Sequence, residues 1–323
     1  MNGAPVAAVT GATGFLGRWI VRALADAGWR PRLLVRRDPV HPQLLGIDYD
    51  IVPGPLHDAS ALRRLVSGVD VVVHAAGAIK ALTRREFFTV NADATALLAR
   101  TATETAPGAR IVLVSSMAAR EPGLSHYAAS KAAGEQALRD AGGGNWVVAR
   151  PSAVYGPWDR ETLDLFRAAA GPLLPVLGGD ASRICLVHAA DAAAAVAALC
   201  RGGPSGGIYE VTDSCHQGYS WRDMAQHALD AAGGRARVVQ VPQIALRAAA
   251  AVSGAVAAIR RKPAMLTTAK ARELLHTDWS SSLKSQPPAH IWRPTIDLRS
   301  GFAETAAWYR RNGWIRGSGD RSR

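Results

Sequence analysis

"VAAVTGATGFLG", residues 6–17, decides how the rest of the chain is read. A short apolar run is followed by three glycines at intervals of three, Gly11, Gly14 and Gly17, and then by "RWIVRALADAG", whose apolar positions repeat with a helical period. A strand that turns sharply into a helix needs a residue without a Cβ. A diphosphate must come close to backbone N–H groups, and the helix must pack close to its sheet. The three glycines suit those three tasks, and the helix N-terminus adds unpaired N–H donors with partial positive charge. A glycine turn without a ligand is the plainer alternative. The strand before it and the helix after it favour a dinucleotide.

Outward from that turn the chain alternates. Strand patterns at 31–36, 48–54, 69–77, 109–116 and 145–150 are separated by helical patterns at 59–68, 91–104 and 127–141. "VDVVVHAAG" and "ARIVLVSS" are continuous apolar runs of the kind buried on both faces. Such alternation predicts an α/β, Rossmann-type doubly wound parallel sheet. After about Pro151 the rhythm breaks, although 183–188 and 206–213 still read as strands around an Ala-rich helix at 191–200. The expected organisation is a dinucleotide-binding domain over 1–155, completed by roughly 181–213. Residues 156–180 and 214–323 would form a smaller, mostly helical substrate lobe.

Composition narrows the class. The 323 residues are 48% hydrophobic and 20% charged, as in a globular protein. The formal charge of +12, from 38 basic and 26 acidic residues, favours anionic partners such as a phosphorylated cofactor or a lipid surface. No basic block interleaved with aromatics appears, and a nucleic-acid partner is not expected. Cys185, Cys200 and Cys215 are few, odd in number and unpaired in spacing, which suggests a reducing compartment. No signal peptide is expected before the first strand. The longest apolar helical segment, 248–259, is short of the roughly 20 residues a membrane span takes. The nine histidines show no ligand spacing, so no metal is expected.

Two constellations carry chemistry. "LLVRRDP" ends the second strand, and Arg36 and Arg37 stand where an acid would serve the ribose of NAD. Two guanidiniums there favour a 2′-phosphate, so NADP(H) is the expected cofactor. NAD(H) remains open, with Asp38 serving the ribose. "HYAASK" places Tyr127 and Lys131 one turn apart on one helical face. A phenol is a poor acid–base at its ordinary value near 10, and a neighbouring ammonium favours the phenolate. Ser115 and Ser116 end a strand at the edge where such sheets bind ligands. Ser116 is the candidate for holding a substrate oxygen and Ser115 reads as a sheet-end cap.

Taken together, "TGATGFLG", "VVHAAG", Val90–Asn91, "VSS", "YAASK" and "RPSAVYGP" resemble the short-chain dehydrogenase/reductase family of the extended, epimerase/dehydratase-like type. "LVHAADAAAAV" and "WYRRNGWI" are similar to that family's later segments, so the resemblance runs over nearly the whole chain. It implies Ser116, Tyr127 and Lys131 as the catalytic trio. It further implies that Gly11, Gly14, Phe15, Leu16, Gly17, Ala75, Ala76 and Pro151 touch the cofactor and that Asn91 lines the site. Homodimers are frequent in the family. There are two departures. Ser116 and Tyr127 are only eleven positions apart, without the insertion usual in sugar-nucleotide epimerases. "GPLHD" puts Pro55 where an acid usually meets the adenine, and Asp58 is not expected to replace it, so the adenine contact is left open.

Dehydratases of the type carry an Asp-Glu pair after the serine or threonine, and "MAAREPG" offers only Glu121. A nucleotide-sugar epimerase, with Arg183 on the diphosphate, is the first alternative. A non-catalytic assembly subunit is the second, opposed by the retained Tyr127 and Lys131. The leading expectation is an NADP(H)-dependent reduction of a ketone, or its reverse. Leu246, Ala249, Val252, Val256 and Ile259 form an apolar stripe followed by Arg260, Arg261 and Lys262. That stripe either packs on the lobe or, through 246–262, lies against an anionic membrane. The second reading points to a lipid-like substrate, similar to that of the bacterial 3-keto-sphingolipid reductases, and to a cytoplasmic protein peripheral to the inner membrane face.

Overall fold

The computed structural model of the chain describes residues 3–141, 143–177, 179, 181–260 and 266–315. They fall into two units. One comprises Met1–Pro151, Ala192–Val211 and Lys284–Arg293, the other Ser152–Asp191, Thr212–Leu283 and Pro294–Arg323. The first unit carries β1 (Val6–Thr10), α1 (Phe15–Asp26), β2 (Arg30–Val35), β3 (Asp50–Pro53), α2 (Ala59–Val66) and β4 (Val71–His74). It continues with α3 (Arg84–Phe88), α4 (Ala94–Thr105), β5 (Arg110–Val114), α5 (His126–Ala141) and β6 (Trp146–Pro151). The second carries β7 (Ala153–Tyr155), α6 (Leu163–Ala170), β8 (Leu173–Leu177), β9 (Arg183–Ile184) and β10 (Leu186–His188). The division passes through α7 (Ala189–Leu199). After it β11 (Gly207–Val211) belongs to the first unit, and α8 (Trp221–Ala232), β12 (Arg237–Val241), α9 (Gln243–Arg260), α10 (Thr268–Leu275), β13 (Asp278–Trp279) and α11 (Leu298–Arg311) to the second.

The first unit is the predicted doubly wound sheet. Seven parallel strands lie in the order β11-β6-β5-β4-β1-β2-β3. Strand order reverses between β1 and β4, and in open α/β sheets ligands bind beyond the carboxyl ends of the strands at such a point. The strands are buried because Leu62, Leu65, Leu98 and Leu138, from α2, α4 and α5, pack on Val72, Ile111 and Val148. All four positions of β4 are buried, which explains its unbroken apolar run.

The later strands depart from expectation. Residues 183–188 read as one strand returning to the first domain. Instead the chain changes partners at Cys185: β9 pairs with β13 and β10 with β7, both in the second unit. Cys185 accounts for the break, since its N–H donates to Trp279 and its carbonyl accepts from Ala153 N–H. The segment expected to complete the first domain thus contributes only Ala192–Val211 to it, and Lys284–Arg293 joins as well. The second unit is built on Tyr155, Phe166, Phe302 and Tyr309, whose rings meet edge to face at 4.9–5.3 Å. Trp158 packs on Trp308 at 4.6 Å and carries φ of 74°, a left-handed backbone rare for a bulky residue.

Candidate active site

The glycine turn closes β1 onto β4. Gly11 has φ of +74°, and a Cβ there would stand 2.5–2.7 Å from backbone atoms of Ala75 and Ala76. Gly17 faces inward, and a Cβ on it would overlap the carbonyl oxygen of Gly11. Gly14 is different. It is exposed, a Cβ there would meet only the Gly11 carbonyl oxygen at 3.2 Å, and it caps α1 with no side-chain hydrogen bond. The first turn of α1, with Phe15 and Leu16 half-buried, contains no acid. Tight turn, close packing and an open, uncapped helix end are what a dinucleotide diphosphate requires, and these residues fit it.

Arg36 and Arg37 follow β2 directly and are exposed; among the described residues neither makes a hydrogen bond or ion pair. Asp38 beside them is exposed too. Asp58, by contrast, is occupied. Its carboxylate caps α2 by accepting from Ser60 and Ala61 N–H, and these bonds hold it below the usual carboxylate range. Pro151 ends β6, buried and in register with Val211. Arg183 donates to the carbonyl of Ser182.

α5 carries Tyr127 and Lys131, the candidate acid–base pair. Tyr127 is half-buried near its start, with its ring 6.2 Å from that of Phe87 in α3. Lys131 is buried, and its Nζ donates to the Val114 carbonyl at 2.8 Å, at the end of β5. Burial lowers its pKa to about 8, opposed by the charge of Glu135. Ser116, two residues beyond Val114, caps the 3₁₀ turn Met117–Arg120 by accepting from Ala118 N–H, which leaves its own proton available to donate. The carboxyl ends of β5 and β4 converge at Gly77. A Cβ there would lie 3.6 Å from Lys131 Nζ and 3.2 Å from Asn91 Oδ1.

Asn91 braces the site. It lies in a π-helical turn, Thr89–Asp93, between α3 and α4. Its Oδ1 accepts from Ala78 N–H, while Nδ2 donates to the Ala78 carbonyl and to Ser130 Oγ. Ser130 in turn donates to the Tyr127 carbonyl. The amide therefore ties the loop after β4 to the turn of α5 between Tyr127 and Lys131.

Two buried networks escaped the sequence reading. In the first, Ser115 donates to Glu135 at 2.5 Å, and Arg150 grips the same carboxylate bidentately at 2.6 and 2.8 Å. This locks α5 to the ends of β5 and β6. Glu135 lies four residues beyond Lys131, a same-face spacing that could have signalled it. In the second, Ala76 N–H donates to Thr10 Oγ1, which faces His74 Nδ1 at 2.6 Å; His74 Nε2 faces Thr95 Oγ1 at 2.9 Å. Thr95 donates its proton to the Asn91 carbonyl, so it accepts from Nε2–H, and Nδ1 accepts from Thr10. His74 is thereby a neutral relay, and burial with nearby Lys131 lowers its pKa to about 3.

Residues 7–212 match the profile of the NAD dependent epimerase/dehydratase family. The chain is 47% identical over 313 residues, 96% of each chain, to the ceramide reductase of Caulobacter vibrioides (strain NA1000 / CB15N). It is 29% identical over 262 residues, 75% of this chain and 78% of the relative, to the 4-hydroxy-2-methyl-3-oxo-4-farnesyl-3,4-dihydroquinoline-1-oxide ketoreductase of Stigmatella aurantiaca. Its fold matches that of the dTDP-glucose 4,6-dehydratase of Bacillus anthracis, solved with NAD, with a TM-score of 0.71 at 17% identity, covering 97% of this chain and 99% of that one. The chain belongs to the NAD dependent epimerase/dehydratase family and is an NAD(P)-dependent oxidoreductase of the short-chain dehydrogenase/reductase type.

Proposed function

We propose that the chain is an NADP(H)-dependent ketoreductase that converts a ketone on a long-chain, lipid-like molecule of the 3-keto-sphingolipid class to a secondary alcohol. The observation that carries this reading is the 47% identity, along 96% of both chains, with a protein named ceramide reductase. The second relative reported, a ketoreductase of a farnesyl-bearing ketone, is in keeping with an apolar substrate.

The Gly11–Gly17 turn would hold the diphosphate of the dinucleotide, whose nicotinamide would supply the hydride chemistry at the carbonyl carbon. The chain's own work is on the oxygen. Ser116 donates a hydrogen bond that polarises the carbonyl, and the Tyr127 phenol gives up its proton to the forming alkoxide. Charged Lys131 stabilises the phenolate left behind, by Coulomb attraction in a water-poor site. Glu135 and Arg150 hold α5 at the strand ends, and Asn91 with Ser130 fixes the turn that joins the pair. Arg36 and Arg37, exposed with no partner among the described residues, are suited to a 2′-phosphate.

The test uses purified full-length chain, a 3-keto-ceramide in mixed micelles, and NADPH deuterated at C4. The reading predicts a secondary alcohol carrying deuterium at C3. It also predicts that the Arg36→Ala/Arg37→Ala double variant raises KM for NADPH by about tenfold or more, with KM for NADH changed little. Absence of labelled alcohol contradicts the ketoreductase assignment. Equal losses with both cofactors contradict the 2′-phosphate site.

A further inference from the structure

α9 is turned inside out. Of its 18 residues, Leu246 and Ala250 face inward, against Ala271 and the partly buried Leu177, Val241 and Leu275. Its larger apolar residues face water: Ile244 is 79% exposed, Val252 65%, Val256 40% and Ile259 83%. The stripe expected from the sequence therefore splits, with Leu246 packed and Val252, Val256 and Ile259 outside. At about 100° per residue, the exposed positions from Ile244 to Ile259 other than Arg247 fill an arc of roughly 160° that holds only Ala, Val and Ile. Its length is about 22 Å at 1.5 Å per residue. Arg247 borders the arc on one side and Arg260 on the other, both exposed. A helix on the surface of a globular unit ordinarily presents its polar face to water. A continuous apolar face of this size marks a contact with something else.

Charge says with what. From residue 231 to residue 272 the sequence has no Asp or Glu and eight Lys or Arg. Arg261 and Lys262, which follow α9 at once, lie outside the described residues but belong to this run. A second copy docked through the same face would bring two cationic surrounds together, which like-charge repulsion opposes. Anionic headgroups would pair with the arginines while the aliphatic arc enters the acyl boundary, the arrangement of an interfacial helix.

We propose that α9 is a membrane-docking helix, lying in the plane of an anionic bilayer surface with Ile244, Val252, Val256 and Ile259 in the lipid and Arg247 and Arg260 at the headgroups. The surface is defined by exposure and charge alone. Its purpose, access to a substrate dissolved in the bilayer, rests on the lipid-ketone reading.

The test is flotation of the full chain with vesicles of phosphatidylcholine alone or with 30% phosphatidylglycerol, at ~30 and ~300 mM salt. Expected is binding to the anionic vesicles that weakens with salt, and a loss of about tenfold or more in Val252→Asp/Ile259→Asp. That variant should keep wild-type NADPH oxidation with a short water-soluble ketone, which shows that it is folded and separates this surface from the catalytic reading. Binding that the variant leaves unchanged overturns the proposal, as does no binding to anionic vesicles. A wild-type dimer that the variant converts to monomer, with vesicle binding intact, also overturns it and assigns the face to a second copy. Vesicle binding without turnover of any lipid ketone supports α9 and defeats the substrate reading alone.

Discussion

Lys131 and Tyr127 sit one turn apart but in unlike surroundings. The lysine is buried and the tyrosine half-buried. Loss of water around the ammonium brings Lys131 down to about 8, and Glu135 offsets this only in part. Between about pH 8 and the ordinary lysine value near 10.4, the native chain then binds fewer protons than the unfolded one, so its stability rises with pH across that window. Relative to Lys131→Met, the cofactor-free protein should gain melting temperature from pH 8 to 10; parallel curves for the two would contradict a buried, discharging lysine. At this scale the sequence showed what is local. Gly11, Gly14 and Gly17, and Tyr127 with Lys131, are patterns within a single turn or helix. The Thr10–His74–Thr95 relay was not legible, because Thr10 and His74 are 64 residues apart and meet only when β1 pairs with β4.

At the scale of elements, α5 is held by close backbone approach. A Cβ on Gly134 would overlap the Asn91 carbonyl oxygen in the π-helical turn, so α5 cannot approach that turn with a larger residue there. Gly134→Ala should cost about 1–3 kcal/mol in chemical denaturation, the usual scale for overpacking. Because the displacement moves Tyr127 and Lys131 together, kcat should fall by about tenfold or more. A variant of unchanged stability and turnover would show that the contact does not position the helix. Most helix and strand patterns of the first unit were readable because its central strands β1, β4 and β5 are buried on both faces, while short α3 was not. The 183–188 segment was misread for a complementary reason. β9 and β10 are two and three residues long, and their pairing is decided by distant β13 and β7. The inward face of α9 was ambiguous because Ala and Val populate its whole circumference, so periodicity could not say which side packs.

For the whole molecule, the seven-stranded parallel sheet followed from strand–helix alternation, the 206–213 strand included, whereas the return of Lys284–Arg293 to the first unit did not. Lys284–Arg293 returns to the first unit through contacts such as Ile291 against Gly202, which no periodicity in the sequence announces. Among the described residues no helix is long and apolar enough to cross a membrane. The proposed reaction turns on one phenol. In the proposed reaction Tyr127→Phe removes the proton given to the carbonyl oxygen and leaves the glycine turn, Arg36 and Arg37 untouched. The decisive measurement is therefore kcat of Tyr127→Phe beside its NADPH dissociation constant. A fall in kcat of about 10²–10⁴-fold, with NADPH affinity within about threefold of wild type, is expected. Turnover near wild type would contradict the assignment of Tyr127 as the acid.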